Sequence, residues 1–561
     1  MYIELIRFVS QLKIVHILTS CFFNPYMHTL LNRTTALHQA GTHTEWDIAI
    51  IGGGATGLGI AVDAATRGYK TILLEQHDFA KGTSSRSTKL VHGGVRYLAM
   101  GDIRLVYDAL HERGVIFRNA PHLAHTQPFI IPCYSVFSKW KYLIGLKIYD
   151  WLAGRYRIGK STFVPKKETH DSLPGIKTDR LKGGVRYFDG QFDDARLAVN
   201  LAQTAATYGA TVLNYCKVTE LCKDSRGRLT GLRFTEGETK KDFQVNAKAI
   251  INATGVFVDD ILQLDVDEHR PLVRPSQGTH VVVDRNFLGT RDALMIPETS
   301  DGRVLFGVPW HNYLLLGTTD TPIATHSLEP LPLDAEIDFI LKTAAAYLTH
   351  PPKRTDILSI FAGLRPLAAP DRENGSTKEI SRDHKLIVNS SGLITITGGK
   401  WTTYRKMAEE TVDRAIATTA LHPRPCHTKT TKIHGYSTQR QVGHWAGYGS
   451  DAVHIRALAD AVPELQEKLH DDFDHIGAEV AWAVRHEMAR TVEDVLARRL
   501  RILFLDAAKS MEMAPKVAAI MAKELRKDAA WIAGQIEGYG ELAKRYLPNA
   551  EMAILRNEKE I

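Results

Sequence analysis

The sequence predicts an α/β protein whose parallel sheet is assembled from segments far apart in the chain. An α+β region is inserted into it, and an all-helical part follows at the C-terminal side. Three observations predict this. Short, apolar, β-branched runs recur at 47–51, 71–74, 249–252 and 393–397, the pattern of strands buried on both faces. Three of these runs end in turns of glycine and small residues. From about residue 432 the apolar positions fall instead at helical spacing among charges.

The first run leads into Gly52-Gly53-Gly54-Ala55-Thr56-Gly57, a GxGxxG pattern at Gly52, Gly54 and Gly57. Gly52 permits the tight turn, Gly54 lets backbone approach a pyrophosphate, and Gly57 lets the next helix pack on the strand. Ala55 and Thr56 lie in the same turn, and the N-terminus of the next helix faces the phosphates. The spacing predicts a helix over 58–67, closed by Gly68, and a second strand ending in Glu75. A carboxylate roughly 20 residues past the glycines binds ribose hydroxyls and disfavours a 2′-phosphate, hence NADP. A simple NAD domain would complete its sheet locally. Here the strands before Ala253-Thr254-Gly255 and Gly398-Gly399-Lys400 return to one nucleotide after long excursions. That calls for a long cofactor spanning two domains, and FAD fits a discontinuous Rossmann-like domain.

Composition narrows the remainder. The 561 residues carry 70 Lys+Arg against 63 Asp+Glu, a net charge of +7, with 44% hydrophobic and 24% charged residues. This is globular composition, with length for several structural units and too small a basic excess for a dedicated nucleic-acid binder. Five cysteines without a CxxC pair indicate neither a disulfide framework nor a zinc ribbon. No apolar run approaches the roughly 18 residues of a spanning helix. Between Glu4 and Glu45 no acidic residue occurs, so residues 1–45 are set aside as a targeting leader or an upstream extension with Met27 as the start.

Further motifs carry a resemblance. They are the run 82–98 (GTSSRSTKLVHGGVRYL), Gln277-Gly278-Thr279-His280, Gly317-Thr318-Thr319-Asp320, Gly363-Leu364-Arg365-Pro366-Leu367 and 398–405 (GGKWTTYR). Together they resemble the FAD-dependent glycerol-3-phosphate dehydrogenase family over most of the chain. The resemblance implies non-covalent FAD, oxidation of sn-glycerol 3-phosphate to dihydroxyacetone phosphate, and electrons passed to a membrane quinone. It also implies a peripheral place on the cytoplasmic face of the inner membrane, with a homodimer as one allowed arrangement. A related branch uses oxygen as acceptor, and amine or amino-acid oxidases share the fold. Thr83, Ser84, Ser85, Thr88, Lys89, His92 and Gly93 resemble the loop that touches FAD, and Val218 the contact at its adenine end. Tyr97 and Asp320 are implied as substrate residues.

The chemistry of a phosphorylated alcohol agrees with these motifs. Phosphate needs fixed cations, and Arg96, Arg365 and Lys400 lie at glycine- or proline-containing turns. Oxidation requires a group that takes the hydroxyl proton, and a neutral imidazole suits that near pH 7. His280, opening the run Val281-Val282-Val283, is the preferred base, with His92 its rival.

The expected layout assigns 46–115, 192–265 and 367–430 to the FAD domain, 116–191 and 266–366 to the substrate domain, and 431–561 to the helical domain. A second Gly-Gly-Val-Arg-Tyr at 183–187 is read as no duplication, with Asp193-Asp194 capping a helix over 195–208. Residues 137–160 combine Lys139, Lys141 and Lys147 with Trp140, Ile144, Ile148 and Trp151, the makings of an interfacial helix. Helices are expected over 453–469 (split at Pro463), 478–505 and 514–542. The run 486–490 lacks the second His of HExxH, and 472–483 fails as a calcium loop, so no metal is assigned.

Overall fold

The computed structural model describes residues 31–43, 45–266, 269–299, 302–369, 384–439 and 441–548. Met27 and the rest of 1–30 lie outside the described residues. Two large sheets organise the chain. The first runs in the order Ile394–Gly398, Asp242–Asn252, Trp46–Ile51, Thr71–Leu74 and Thr211–Leu213, all parallel, with His384–Val388 antiparallel at one edge. Neighbours in space are therefore distant in sequence, as the scattered apolar runs require. Helix Ala55–Thr66 covers this sheet and packs against Tyr404–Thr418 and Asp194–Thr207. A Cβ on Gly59 would lie 2.8 Å from the Tyr404 ring, so the small residues of the first helix are what admit the last.

The set-aside leader needs correction. Arg33–Thr42 is a helix whose N-cap, the Asn32 side chain, accepts from Thr35 N. Leu31, Ala36 and Ala40 are buried in the core of the first sheet. Arg33 donates to Asn214 Oδ1 at 2.8 Å and to Glu236 Oε1 at 2.5 Å. From Leu31 onward the segment belongs to the nucleotide layer. Its small apolar face is too short to stand out against an acid-poor background.

The second, mixed sheet has the order Thr321–Pro322, Val273–Asp284, Tyr313–Gly317, Leu305–Trp310, Ala293–Ile296, Ala124–Cys133, Gly183–Phe192 and Leu90–Val91. Ser359–Ala368 also pairs with Val273–Asp284, and Thr162–Pro165 with Gly183–Phe192. The strand Leu90–Val91 takes the chain into this sheet well before residue 115. The expected boundary there is too late, because a two-residue strand leaves no periodicity to read.

The C-terminal part is helical apart from the hairpin Lys468–His470 with Phe473–Ile476. Helix Ala452–Ala461 stops before Pro463, as expected. The helix expected over 478–505 breaks into Gly477–His486, a π-helical turn Asp494–Arg499 and Ile502–Leu505. Met488 and Arg501 both take positive φ at the breaks. The helix expected over 514–542 divides at Arg526, also of positive φ, into Ala507–Leu525 and Ala529–Lys544.

Asp193 caps the helix Asp194–Thr207 by accepting from Arg196 N, but Asp194 does other work. Its carboxylate, fully buried, accepts from Lys89 Nζ at 2.8 Å, Ser87 Oγ at 2.7 Å and Arg501 Nη2 at 2.8 Å. It therefore joins the loop after the second strand to the C-terminal segment. Replacing Asp194 by Ala leaves two buried cations without their shared partner and is expected to cost about 3–5 kcal/mol. Urea denaturation followed by tryptophan fluorescence checks this; a loss near zero would overturn it.

Candidate active site

One cavity of about 440 Å³ runs between the two sheets, within the range of cofactor and ligand sites. At one end lies the glycine turn. Gly52 has φ +108°, and a Cβ there would lie 2.8 Å from Ala253 O. Helix Ala55–Thr66 is capped by Gly54, which offers no side chain to its amide groups, so the helix N-terminus opens on the cavity. Ser84 Oγ accepts from Ala55 N at 3.0 Å and ties the 83–85 turn to it. Glu75 ends its strand at the cavity and accepts from Gly53 N at 2.6 Å and His77 N at 2.8 Å; burial pushes its carboxyl up. The residues present thus fit a dinucleotide: a cradle that only glycine leaves open, a helix N-terminus and a fixed carboxylate.

Along the cavity wall stand Thr83, Ser84, Thr88, His92, Val218, Ala253, Thr254, Gly255, Gly398, Gly399 and Lys400. Trp401 Nε1 donates to Ser84 O at 2.8 Å, closing the loop 83–85 onto the turn after the last parallel strand. Gly52, Gly54, Ala55, Thr56 and Glu75 line the nucleotide end.

At the other end the second sheet presents one face. Residues 276, 278 and 280 pair with 365, 363 and 361, so Gly278 and His280 share a face with Arg365 and Phe361. A Cβ on Gly278 would meet Arg365 Nη2 at 2.3 Å; glycine makes the room for the guanidinium. Arg365 is fixed by Gln277 O (3.2 Å), Thr319 O (3.0 Å), Thr318 Oγ1 (3.1 Å) and the Asp320 carboxylate (3.3 Å). His280 stacks on Phe361 with ring centroids 4.9 Å apart, and its Nε2 is 2.9 Å from Thr88 Oγ1. Burial first, then the Lys89 and Arg365 charges, hold the His280 imidazole well below its usual range. Lys400 Nζ lies 3.8 Å over the Tyr97 ring, and Arg96 lines the cavity from helix Val95–Ala99.

Five expected contact residues stand behind this wall instead. Lys89 has φ +63° and turns away from the cavity, its ammonium fully buried between Asp194 and Ser85 O. Burial pushes it down to about 7 even with that carboxylate beside it. Ser85 is buried under the same turn. Gly57 packs the helix on the glycine turn, since a Cβ would lie 1.9 Å from Gly52 O. Gly93 donates its N–H to Tyr149 Oη at 2.8 Å. Asp320 braces Arg365 and accepts from Ser276 Oγ.

Sequence reasoning passed over Arg86, Tyr187 and Asp189, all on the cavity wall. Arg86 pairs with Glu329 at 2.6 Å and donates to Tyr546 Oη at 3.1 Å. Asp189 accepts from Arg113 at 2.7 Å and from Tyr149 Oη at 2.6 Å. The second Gly-Gly-Val-Arg-Tyr was the available signal for Tyr187: it forms the strand Gly183–Phe192, whose inner face reaches the cavity.

Comparison with known proteins agrees with this geometry. The family model for FAD dependent oxidoreductases matches residues 47–405, and that for the C-terminal domain of alpha-glycerophosphate oxidase matches residues 393–531. The mitochondrial glycerol-3-phosphate dehydrogenase of Rattus norvegicus is 38% identical over 542 residues, covering 90% of this chain and 74% of the relative. Its Homo sapiens counterpart is 36% identical over 584 residues, covering 96% and 80%. The crystal structure of the glycerol-3-phosphate dehydrogenase from Bacillus halodurans complexed with FAD superposes with a TM-score of 0.71 at 28% identity, covering 92% of this chain and 97% of that one. By cradle, sheet arrangement and sequence, the chain belongs to the FAD-dependent glycerol-3-phosphate dehydrogenase family.

Proposed function

We propose that the chain oxidises sn-glycerol 3-phosphate to dihydroxyacetone phosphate and delivers the electrons to a membrane quinone. The observation that carries this reading is the convergence of Arg365, Arg96 and Lys400 with His280 in the cavity whose other end is the dinucleotide cradle. FAD, when bound, supplies the hydride acceptor. Arg365 sets its guanidinium charge toward the substrate phosphate, and its backbone, Thr318 and Asp320 contacts keep that group fixed. Lys400 and Arg96 add cationic charge, and Tyr97 shapes the wall beside Lys400.

His280 takes the proton of the C2 hydroxyl. Its lowered pKa keeps the ring neutral and able to accept, while Thr88 and Phe361 hold its plane. A second reading gives the proton to His92, because it lines the same cavity without being fully buried. In that case His280 orients the hydroxyl.

Helix Val136–Ala153 supports a peripheral place on an inner membrane. Phe137 and Trp151 are each 78% exposed, and Trp140, Ile144 and Ile148 continue the same apolar stripe. Met100, Ile103 and Tyr107 are also exposed on the neighbouring segment 100–107, and Lys139, Lys141 and Lys147 lie along the helix. Exposed Trp and Phe rimmed by lysines suit an anionic headgroup layer. No helix among the described residues is long and apolar enough to cross a membrane.

Four outcomes are expected. Anaerobic sn-glycerol 3-phosphate bleaches the oxidised flavin band, and a soluble quinone analogue restores it faster than air. Stoichiometric peroxide in air would replace the quinone by oxygen as acceptor. Arg365→Ala lowers kcat/KM by about 10–100-fold, the effect of losing one or two charge-assisted hydrogen bonds; an unchanged value would remove Arg365 from the phosphate site.

His280→Gln lowers the flavin reduction rate by about 10²–10⁴-fold. With the folded pKa depressed, the parent rate holds as pH falls through 6.5 and declines only below it. A parent acid limb at or above 6.5 that disappears in His92→Gln would transfer the base to His92. Charge reversal of Lys139, Lys141 and Lys147 releases the protein from anionic vesicles at unchanged dye-linked activity. Undiminished sedimentation with vesicles would count against docking through this face.

A further inference from the structure

A second cluster of chemically capable side chains lies in the C-terminal part, away from the cavity. His444 sits in the 3-10 stretch Gly443–Asp451, His475 in the strand Phe473–Ile476, and Glu479 in the first turn of helix Gly477–His486. One donor atom from each lies within 4.8 Å of the other two. We propose that His444, His475 and Glu479 form a binding site for a zinc-class divalent metal ion that ties the 443–451 segment to the hairpin and helix beyond it.

Charge and hydrogen bonding support this. The Glu479 side chain is fully buried, and its ion-pair partners among the described residues are these two histidines alone. No Lys or Arg pairs with it there, so the compensating positive charge is either a proton on imidazole or a metal ion. His475 Nδ1 is 2.8 Å from Glu479 Oε1. His444 Nε2 stands 3.6 Å from Oε2, too far for a hydrogen bond, and is a buried nitrogen with no hydrogen-bond partner. Burial also lowers the His444 pKa, which keeps its ring neutral. A buried neutral nitrogen facing a carboxylate, with a second imidazole on the other oxygen, is what a metal would satisfy.

The donor set selects the ion. Two imidazoles and one carboxylate suit zinc and its neighbours cobalt and nickel, whereas magnesium and calcium favour oxygen ligands throughout. Each histidine side chain keeps 14% exposure, which leaves a side of the site open to a water as fourth ligand. The outer contacts are in place as well. Ile476 N donates to Glu479 Oε2 at 2.8 Å and fixes the carboxylate, and Trp445 packs on the His444 ring at 4.4 Å. None of the three residues lines the cavity, so the site is structural and separable from the redox reaction.

The test uses the FAD-loaded protein, dialysed against EDTA and titrated with zinc chloride and, separately, with cobalt chloride. The parent is expected to bind one tight equivalent of zinc, seen by titration calorimetry. Cobalt is expected to give visible bands to the red of the flavin. His444→Gln lowers zinc affinity by at least about tenfold, and Glu479→Gln does the same. Zinc raises the melting temperature of the parent and not of either variant, and bleaching of the flavin by substrate is the same in all three. Other histidines bind zinc weakly, so the readout is the difference between parent and variants. Equal binding by the parent and His444→Gln, or no tight equivalent in the parent, overturns the site. Should Glu479→Gln not fold, His444→Gln, at the less buried of the two positions, decides alone.

Discussion

The structure depends first on two buried carboxylates and the arginines that answer them. Asp194 holds Lys89 and Arg501, and Asp78, three residues past Glu75, takes Arg498 at 2.6 Å and Arg499 through both of its oxygens. Burial works against these charges, yet the arginines keep Asp78 down at about 2. Each carboxylate lies beside one part of the cofactor cradle, and each cation beyond Lys89 comes from the C-terminal part. The helical segment is therefore no appendage. It supplies the counter-charges without which the loop 83–89 and the end of the second strand would hold unpaired ions in a dry interior.

That constraint explains what could be read from the sequence and what could not. Strands at 47–51 and 71–74, the glycine turn and Glu75 were legible because parallel strands and phosphate turns follow local rules. Lys89 was not. Its neighbours Thr88 and Leu90 line the cavity, while Lys89, with positive φ, turns to the buried Asp194. The breaks at Met488 and Arg501 escaped for a related reason. Helical periodicity continues through them, while Arg499 and Arg501 reach to Asp78 and Asp194, far back in the chain. Arg33–Thr42 shows the opposite limit, a helix whose place is set by partners some 180–200 residues away.

The substrate end illustrates how a sheet can place chemistry through register. Because side chains alternate faces, pairing 278 with 363 and 280 with 361 puts a guanidinium, an imidazole and a supporting aromatic ring on one side without any loop. Gly278 is the open position that lets the Arg365 side chain lie across the strand. A one-residue slip would turn all of these to the opposite face. The motif that announced the family was therefore also a statement about strand pairing, although its residues are separated by more than eighty positions.

The contact between Tyr546 and the Arg86–Glu329 pair has a consequence for how the protein is made. The glycine turn emerges early in synthesis, but the strand Ile394–Gly398 and then Arg498, Arg499, Arg501 and finally Tyr546 must follow before the cavity wall is complete. Until that segment has been made, the glycine-rich turn stands without the contacts that hold Arg86 on the far wall of the cavity. Loading of the flavin is thus a late event in folding, one that waits on residues far beyond the glycine turn in the chain.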